Sequence, residues 1–293
     1  MLSAPAGAVT RSPASVVARA LATDASMTPA AQRVYLAARP TVDDRATFAD
    51  HCPVFEAPDT VVLGCFVPNR DRIHVLRIDR PELASGMAVT AAHEMLHAVY
   101  ARLPREERRT VDAMTAKFYA SSSGASLRDA LTDYPPRERA GERHSRLGTE
   151  VAHLPPKLER YYGKYFRHRA VVVAASAAYE HVFDDLESQL TALDAEITTL
   201  QSEVDELGDQ ADAAGAEAQR LADEIDHLRA DGRIAASNDL VDPQNRAVET
   251  ANALVDQHNA LVSEANARID AYNALVLTNQ QLIDSVKPLG STR

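Results

Sequence analysis

An unbroken heptad pattern over residues 183–230 constrains the fold of this 293-residue chain more than any other feature. Apolar residues recur there alternately three and four positions apart, which is typical of a long helix that buries a narrow stripe against a partner helix. The same segment holds 14 acidic residues and only two basic ones, Arg220 and Arg229. A charge bias confined to one segment predicts a separate structural unit.

A second heptad pattern follows the connector DGRIAASNDLVDPQN (231–245) and predicts a helix over about residues 245–286. Its β-branched residues lie seven apart from Val255 to Ile283, and its asparagines lie seven apart from Asn252 to Asn273. Two arms of similar length predict an antiparallel coiled-coil hairpin over residues 181–293, although the helices could instead pair between chains. The asparagines either occupy a-type seam positions or lie at the margin of a Leu/Val seam.

The preceding residues predict a different kind of domain. Residues 27–180 hold several short amphipathic segments and two β-rich runs, TVVLGCFV (60–67) and RIHVLRID (72–79), which read as a hairpin around PNRD. The expected fold class is therefore mainly α with a small β-sheet, followed by the coiled coil. The Ala/Ser/Pro-rich residues 1–26 predict a flexible leader without the apolar core of an export signal, and no apolar run is long enough to span a membrane.

Net charge and cysteine content limit the possible partners and compartment. The net charge of −11 argues against non-specific nucleic-acid binding. The two cysteines, Cys52 and Cys65, are compatible with a disulfide and equally with two reduced, buried thiols.

The pentapeptide HEMLH (93–97) lies in a predicted helix from about Ser85 to Leu103. Residues four apart share one helical face, so His93 and His97 can direct ring nitrogens at one zinc ion, with Glu94 beside it as a general base. The alternative is an ordinary helix with two solvated or core histidines. The flanking residues are largely apolar, so buried polar groups in this helix would need partners.

A catalytic zinc site needs a third protein ligand and an open position. No third histidine follows His97 at metzincin spacing, because the next residues are AVYARL. A carboxylate from a later helix remains, and RAGERHSRLGTEVAHLP offers Glu142 and Glu150.

Four stretches carry a resemblance to a known family: VVLGCF, RIHVLRID, VTAAHEMLHAVYARL and ERAGERHSRLGTEVAHLPPKLERYYGKYF. They are similar to a family of bacterial, mainly Gram-positive, cell-envelope proteins that resemble gluzincin metalloproteases. The likeness covers roughly residues 27–180 closely. It implies a zinc-dependent endopeptidase domain outside the cytoplasm, with a membrane anchor upstream and a long coiled coil downstream.

The family usually reads ANELHSxxGTE, which is similar to the thermolysin-type third-ligand segment N-E-x-x-S-D. The resemblance implies that Glu142 is the third ligand and Ser145 the small residue after it. Gly141 stands where the family has Asn, and Arg146 stands where an aspartate would orient a zinc-bound histidine. Glu150 could take over that orienting role, and it also remains the rival third ligand.

The resemblance implies two further roles near the expected site. His144 could donate a hydrogen bond to the developing oxyanion, or it could be a structural histidine bonded to a backbone carbonyl. The strand RIHVLRID is expected to edge the cleft and pair with an extended substrate, with His74 at the surface.

Two functions are therefore expected from the sequence. The first is zinc-dependent hydrolysis of peptide bonds in a protein or peptide substrate, in which Glu94 accepts a proton from water and passes it to the leaving amine. The alternative is a non-catalytic envelope scaffold with a vestigial metal site, which acts through its coiled coil by binding a partner protein or by self-association.

Overall fold

The computed structural model describes residues 13–52, 61–132 and 134–287. They fall into two compact units. Unit 1 contains the described residues up to Asp184 and those from Gln281 onward, and unit 2 contains Asp185–Gln280. The last residues of the predicted coiled-coil segment therefore belong to unit 1. No helix among the described residues is both long and apolar enough to cross a membrane.

Unit 1 consists of short helices around a small sheet. Its elements are α1 (Pro13–Asp24), α2 (Pro29–Ala37), β1 (Thr41–Asp43), α3 (Arg45–His51), β2 (Gly64–Val67), β3 (Arg72–Leu76), α4 (Ser85–Arg102), α5 (Arg105–Tyr119), α6 (Ala125–Asp129), α7 (Arg139–Thr149) and α8 (Pro156–Tyr162), with 3₁₀ turns at Pro81–Leu83 and Ser122–Gly124. A long helix, α9 (Arg169–Ala230), begins in unit 1 and continues into unit 2, where α10 (Ile234–Asp239) follows. The last helix, α11 (Val241–Val286), begins in unit 2 and ends in unit 1. The expectation of a mainly helical chain with a small sheet is confirmed.

The sheet has the strand order β1-β3-β2. Strands β2 and β3 pair antiparallel, which confirms the predicted hairpin, and β1 pairs parallel with the other edge of β3. Alternate residues of β3 face opposite sides: Ile73 and Val75 enter the main core, whereas Leu76 packs with Phe48 on the α3 side. The sheet therefore separates α3 from the main core.

The first helix differs from the predicted flexible leader. Residues 13–24 form α1, and Ala18, Leu21 and Ala22 are buried in the main core. These residues recur at helical spacing, so they form one apolar face that overall Ala/Ser/Pro composition conceals. Residues 1–12 of the predicted leader lie outside the described residues.

Helix α4 lies at the centre of unit 1 and is buried along most of its length. Helix α7 packs closely against it at Gly148, where an added Cβ would lie 2.3 Å from Leu96 Cδ1 and 2.9 Å from the Tyr162 ring. An added Cβ would force the buried Leu96 and Tyr162 side chains to shift, because side chains in a packed core have little free space. The glycine therefore permits the close contact between α4 and α7.

A buried arginine holds the chain that leaves α7. The Arg169 guanidinium donates hydrogen bonds to the carbonyl oxygens of Val151 (2.6 Å) and Ala152 (3.0 Å). Its Nε donates to Glu159 at 3.0 Å, so the buried charge is paired as well as hydrogen-bonded. The segment after α7 is thereby tied to the beginning of α9.

Within unit 2, the buried residues of α9 from Ala211 to Leu228 are apolar positions of the heptad pattern. In α11, however, Asn252, Asn259, Asn266 and Asn273 are exposed, so of the two positions that the sequence left open for them, the seam position is not the one observed. Ala265 is buried on another face, and the partly buried positions near it in the helix include Leu254, His258, Leu261, Val262, Ile269, Tyr272 and Leu275. In α11 the asparagines, the leucines and the valines that follow the leucines share the heptad period. The period alone therefore could not show which of these positions is buried.

We predict that Gly148→Ala lowers the free energy of unfolding by about 1–3 kcal/mol, because its Cβ overpacks the contact between α4 and α7. The matched control is Gly215→Ala in α9, where an added Cβ meets nothing within 4 Å. It should be neutral or stabilising by up to about 1 kcal/mol. Thermal unfolding followed by circular dichroism compares the two variants. Equal melting temperatures would contradict the packing argument.

Candidate metal centre

Two histidines of α4 face the same point. His93 Nε2 and His97 Nε2 are 3.1 Å apart, as expected for residues one helical turn apart on one face. Their side chains are 17% and 24% exposed, so both rings line a cleft and neither lies in solvent. The structure thus brings together the two histidines of HEMLH.

Helix α7 supplies a carboxylate to the same point. Glu142 Oε1 lies 3.5 Å from His93 Nε2, and Glu142 Oε2 lies 3.2 Å from His97 Nε2. A Cβ on the neighbouring Gly141 would lie 3.4 Å from His97 Nδ1, so a small residue there lets α7 approach the histidine ring. Among the described residues, His93, His97 and Glu142 form one of two clusters able to hold a metal ion.

The separations within this cluster fit a zinc ion. Bonds of 2.0–2.1 Å in a tetrahedral site place neighbouring ligand atoms about 3.3–3.4 Å apart. The two histidine nitrogens are 3.1 Å apart, and His93 and His97 each face a different Glu142 oxygen, at 3.5 and 3.2 Å, so the spacing is close to that of zinc ligands. Two imidazoles and one carboxylate are also a donor set that zinc enzymes use while keeping a fourth position open.

Negative charge surrounds the histidines. Burial lowers the pKa of His93, but Glu142, Glu94 and Glu150 outweigh this effect and raise it to about 9. Burial also raises the pKa of Glu142, yet the two histidines outweigh it and hold this pKa well below its usual value. An environment that favours a proton on an imidazole to this extent also favours a divalent cation in its place.

Glu94 lies beside the cluster without belonging to it. Burial raises the pKa of its carboxyl group, although His97, His93 and the backbone N–H of Phe66 oppose this. Strand β2 lies directly against Glu94, since a Cβ on Gly64 would be 3.0 Å from Glu94 Cγ and 2.3 Å from Thr90 Cγ2. Glu94 is thus a buried carboxyl group held in one orientation, which suits a proton acceptor.

Strand β2, and not β3, forms the rim of the cleft. Gly64, Cys65, Phe66 and Val67 line the cleft, whereas β3 lies between β1 and β2 in the sheet. The prediction that RIHVLRID edges the cleft is therefore wrong, because the three-residue strand β1 was not recognisable from the sequence. The prediction that His74 lies at the surface is also wrong, since this residue is buried.

A disulfide anchors the rim strand. Cys52, which follows α3, is bonded to Cys65 in β2, and their Cα atoms are 5.8 Å apart. The sequence left open whether these cysteines are oxidised. The bond ties the strand that contacts Glu94 to the opposite side of the sheet.

The rival third ligand is engaged elsewhere. Glu150 Oε2 accepts a hydrogen bond from Arg146 Nε at 2.8 Å. Glu150 lines the cleft but does not join the cluster of His93, His97 and Glu142. Arg146, at the position where the thermolysin-type segment has an aspartate, thus pairs with Glu150, and no described hydrogen bond joins Glu150 to either histidine.

His144 is buried away from the cleft. Its Nε2 lies 2.9 Å from the Tyr161 hydroxyl, and its ring packs against Tyr100 and Tyr162. Burial, together with His97 and His93, lowers its pKa to about 3, so the ring is neutral. His144 is absent from the cleft lining, so a role as oxyanion donor is not supported, and its contacts are those of a structural histidine.

Tyr134 lies at the candidate site but was not predicted as a site residue from the sequence. This residue lines the cleft near the Glu142 carboxylate. Burial raises the pKa of the phenol, so it remains a donor at neutral pH. The only sequence signal is the position of Tyr134 before Pro135-Pro136 in the connection leading into α7.

The cleft has a volume of about 860 Å³, which is in the range of sites that bind extended ligands. Its apolar side includes Val61, Phe66 and Val89. Its charged side includes Arg137, Glu138, Arg146, Glu150 and Glu180. The cleft thus offers both apolar and charged contacts beside the cluster.

Comparison of the chain with protein-family models, with curated proteins and with solved structures finds no match.

We predict that Glu142→Gln lowers the affinity for zinc by more than about 100-fold, beyond the loss typical when only an outer hydrogen-bonding partner is removed. The matched control is Glu150→Gln, which removes the salt bridge to Arg146 and should change the affinity by about 10-fold at most. Competition with a chromophoric chelator measures both affinities. A larger loss in Glu150→Gln than in Glu142→Gln would show that the third ligand is misassigned.

Proposed function

We propose that this chain is a zinc-dependent endopeptidase that hydrolyses peptide bonds in a protein or peptide substrate. The observation that carries the proposal is the cluster of His93, His97 and Glu142 at tetrahedral ligand separations, with Glu94 beside it in an open cleft. A structural metal site would not need a buried, oriented carboxyl group next to its ligands.

Each residue of the cluster has a role in this reaction. A zinc ion held by His93, His97 and Glu142 would acidify a water molecule and polarise the scissile carbonyl. Glu94 takes the proton from water and returns it to the leaving amine, and its raised pKa suits both steps. Tyr134, whose phenol lies near the Glu142 carboxylate, would help to orient this ligand.

The rim of the cleft suits an extended substrate. Among the described strands, β2 pairs with β3 on one side only, so its other edge faces the cleft. A peptide could add to that edge by main-chain hydrogen bonds while Phe66 and Val61 contact its side chains. This edge takes the substrate-binding role that the sequence suggested for RIHVLRID.

The proposed location is the bacterial cell envelope, outside the cytoplasm. The resemblance of residues 27–180 to envelope proteins implies it. The disulfide between Cys52 and Cys65 supports it independently, because disulfides persist mainly in oxidising compartments.

We further propose that α9 and α11 form an antiparallel coiled-coil hairpin that acts as a spacer or docking arm. Two contacts within unit 2 support this arrangement. Arg268 Nε lies 2.9 Å from Glu196 Oε2, and the His258 ring would lie 3.7 Å from a Cβ on Gly208. From Glu196 to Gly208 the position in α9 advances along the chain, whereas the contacting residue in α11 goes back from Arg268 to His258. This is the order of contacts in an antiparallel pair.

The proton-transfer role predicts that Glu94→Gln abolishes hydrolysis of unfolded casein while zinc remains bound. Loss of a general base typically lowers the rate by about 10²–10⁴-fold, and Glu94 is not among the ligand atoms. Zinc content and peptide release are measured on the same preparation, with Glu138→Gln, another cleft carboxylate, as the control. Zinc-loaded wild type without activity on any unfolded protein would instead favour the scaffold function.

The hairpin predicts that cysteines introduced together by Glu196→Cys and Arg268→Cys form a bond within one chain. Non-reducing electrophoresis should show a monomer of altered mobility at every protein concentration. The control combines Glu196→Cys with Glu249→Cys, two positions far apart in the proposed pairing. Dimers that increase with protein concentration would indicate pairing between chains instead.

A further inference from the structure

A second group of ligand-type side chains lies at the sheet, around Asp43. His74 Nδ1 is 2.6 Å from Asp43 Oδ2, and His51 Nδ1 is 3.6 Å from the same oxygen. The two imidazole rings are stacked with centroids 4.5 Å apart. The three ligand atoms all lie within 4.8 Å of one another, although the residues come from the end of β1, the end of α3 and the middle of β3.

This group is separate from the candidate metal centre. In β3, Ile73 and Val75 point into the main core, which also contains α4. His74 alternates with them, on the same side as Leu76, which packs with Phe48 and Cys52. The sheet therefore lies between Asp43, His51 and His74 and the cluster on α4.

Two observations distinguish this group from a chance association of polar residues. His51 Nδ1 is buried and has no hydrogen-bond partner, which is costly for a ring nitrogen unless something binds it. Thr41 Oγ1 donates to Asp43 Oδ2 at 3.0 Å, which holds the carboxylate in place as an outer hydrogen bond does at metal sites.

We propose that Asp43, His51 and His74 form a second binding site for a divalent transition-metal ion of the zinc class. Two imidazole nitrogens and a carboxylate oxygen are the donors that such ions prefer. The ion would replace the proton shared by His74 Nδ1 and Asp43 Oδ2, and this proton is released to solvent. The separation of these atoms then increases from 2.6 Å to about 3.3 Å, the spacing of tetrahedral ligands.

The position of this site indicates a structural role. The ion would join β1, β3 and the end of α3, next to the disulfide that anchors β2. His51 precedes Cys52 in the chain, and His74 is the register partner of Cys65. The His51 side chain is 39% exposed, which gives a path to solvent and room for a fourth ligand from water. The metal would thus hold β3, to which β2, the strand that contacts Glu94, is paired.

Metal counting on the full chain tests the site. The protein is loaded with zinc, dialysed, and its zinc content measured by mass spectrometry. Wild type should hold two ions per chain, while His51→Gln and His93→Ala should each hold one and their combination none. The exposed His153→Ala serves as the control and should hold two.

The alternative outcomes are separable. One ion in wild type that persists in His51→Gln and disappears in His93→Ala overturns the second site and leaves the proposed peptidase intact. One ion that disappears only in His51→Gln supports the second site and overturns the candidate metal centre.

A melting experiment shows whether loss of zinc in the His51→Gln variant could instead result from misfolding. In the His93→Ala background, zinc should raise the melting temperature, and adding His51→Gln should remove that rise without changing the melting temperature in chelator. A rise that is the same with and without His51→Gln would overturn the proposal.

Discussion

The arrangement of this protein's candidate site depends on how closely α7 can approach α4. Gly148 permits this contact, because a Cβ there would overlap Leu96. Arg169 fixes the chain just beyond α7 by bonding to the carbonyls of Val151 and Ala152. Glu142 lies about 9 Å along α7 from Gly148. Helix packing thus delivers its carboxylate to the two histidines of α4.

The charges of the site favour a bound cation. Burying Glu94 and Glu142 beside the partly buried His93 and His97 carries a desolvation cost that hydrogen bonds alone repay only in part. The pKa of His93, raised to about 9, shows that the surroundings hold excess negative charge at the imidazoles. A divalent ion would satisfy both rings and the Glu142 carboxylate at once.

Local periodicity was sufficient to predict part of this structure. The spacing of HEMLH placed both histidines on one helical face, and the β-rich runs gave the β2–β3 hairpin. Choosing Glu142 over Glu150 depends on where α7 touches α4, and sequence spacing contains no information on that distance. The three-residue strand β1 and the pairing of Arg146 with Glu150 also depend on tertiary contacts, so sequence spacing could not predict them. In α11 asparagines, leucines and valines share one heptad period, so the buried face required tertiary contacts.

Whether His93, His97 and Glu142 bind one zinc ion can be tested directly with crystals of the full chain grown with zinc and measured at the zinc absorption edge. We expect an anomalous difference peak about 2.0–2.1 Å from His93 Nε2, His97 Nε2 and a carboxylate oxygen of Glu142. Glu94 should lie beside this peak without bonding to it. No peak between α4 and α7, or a peak whose third protein ligand is Glu150, would contradict the assignment of His93, His97 and Glu142 as the zinc ligands.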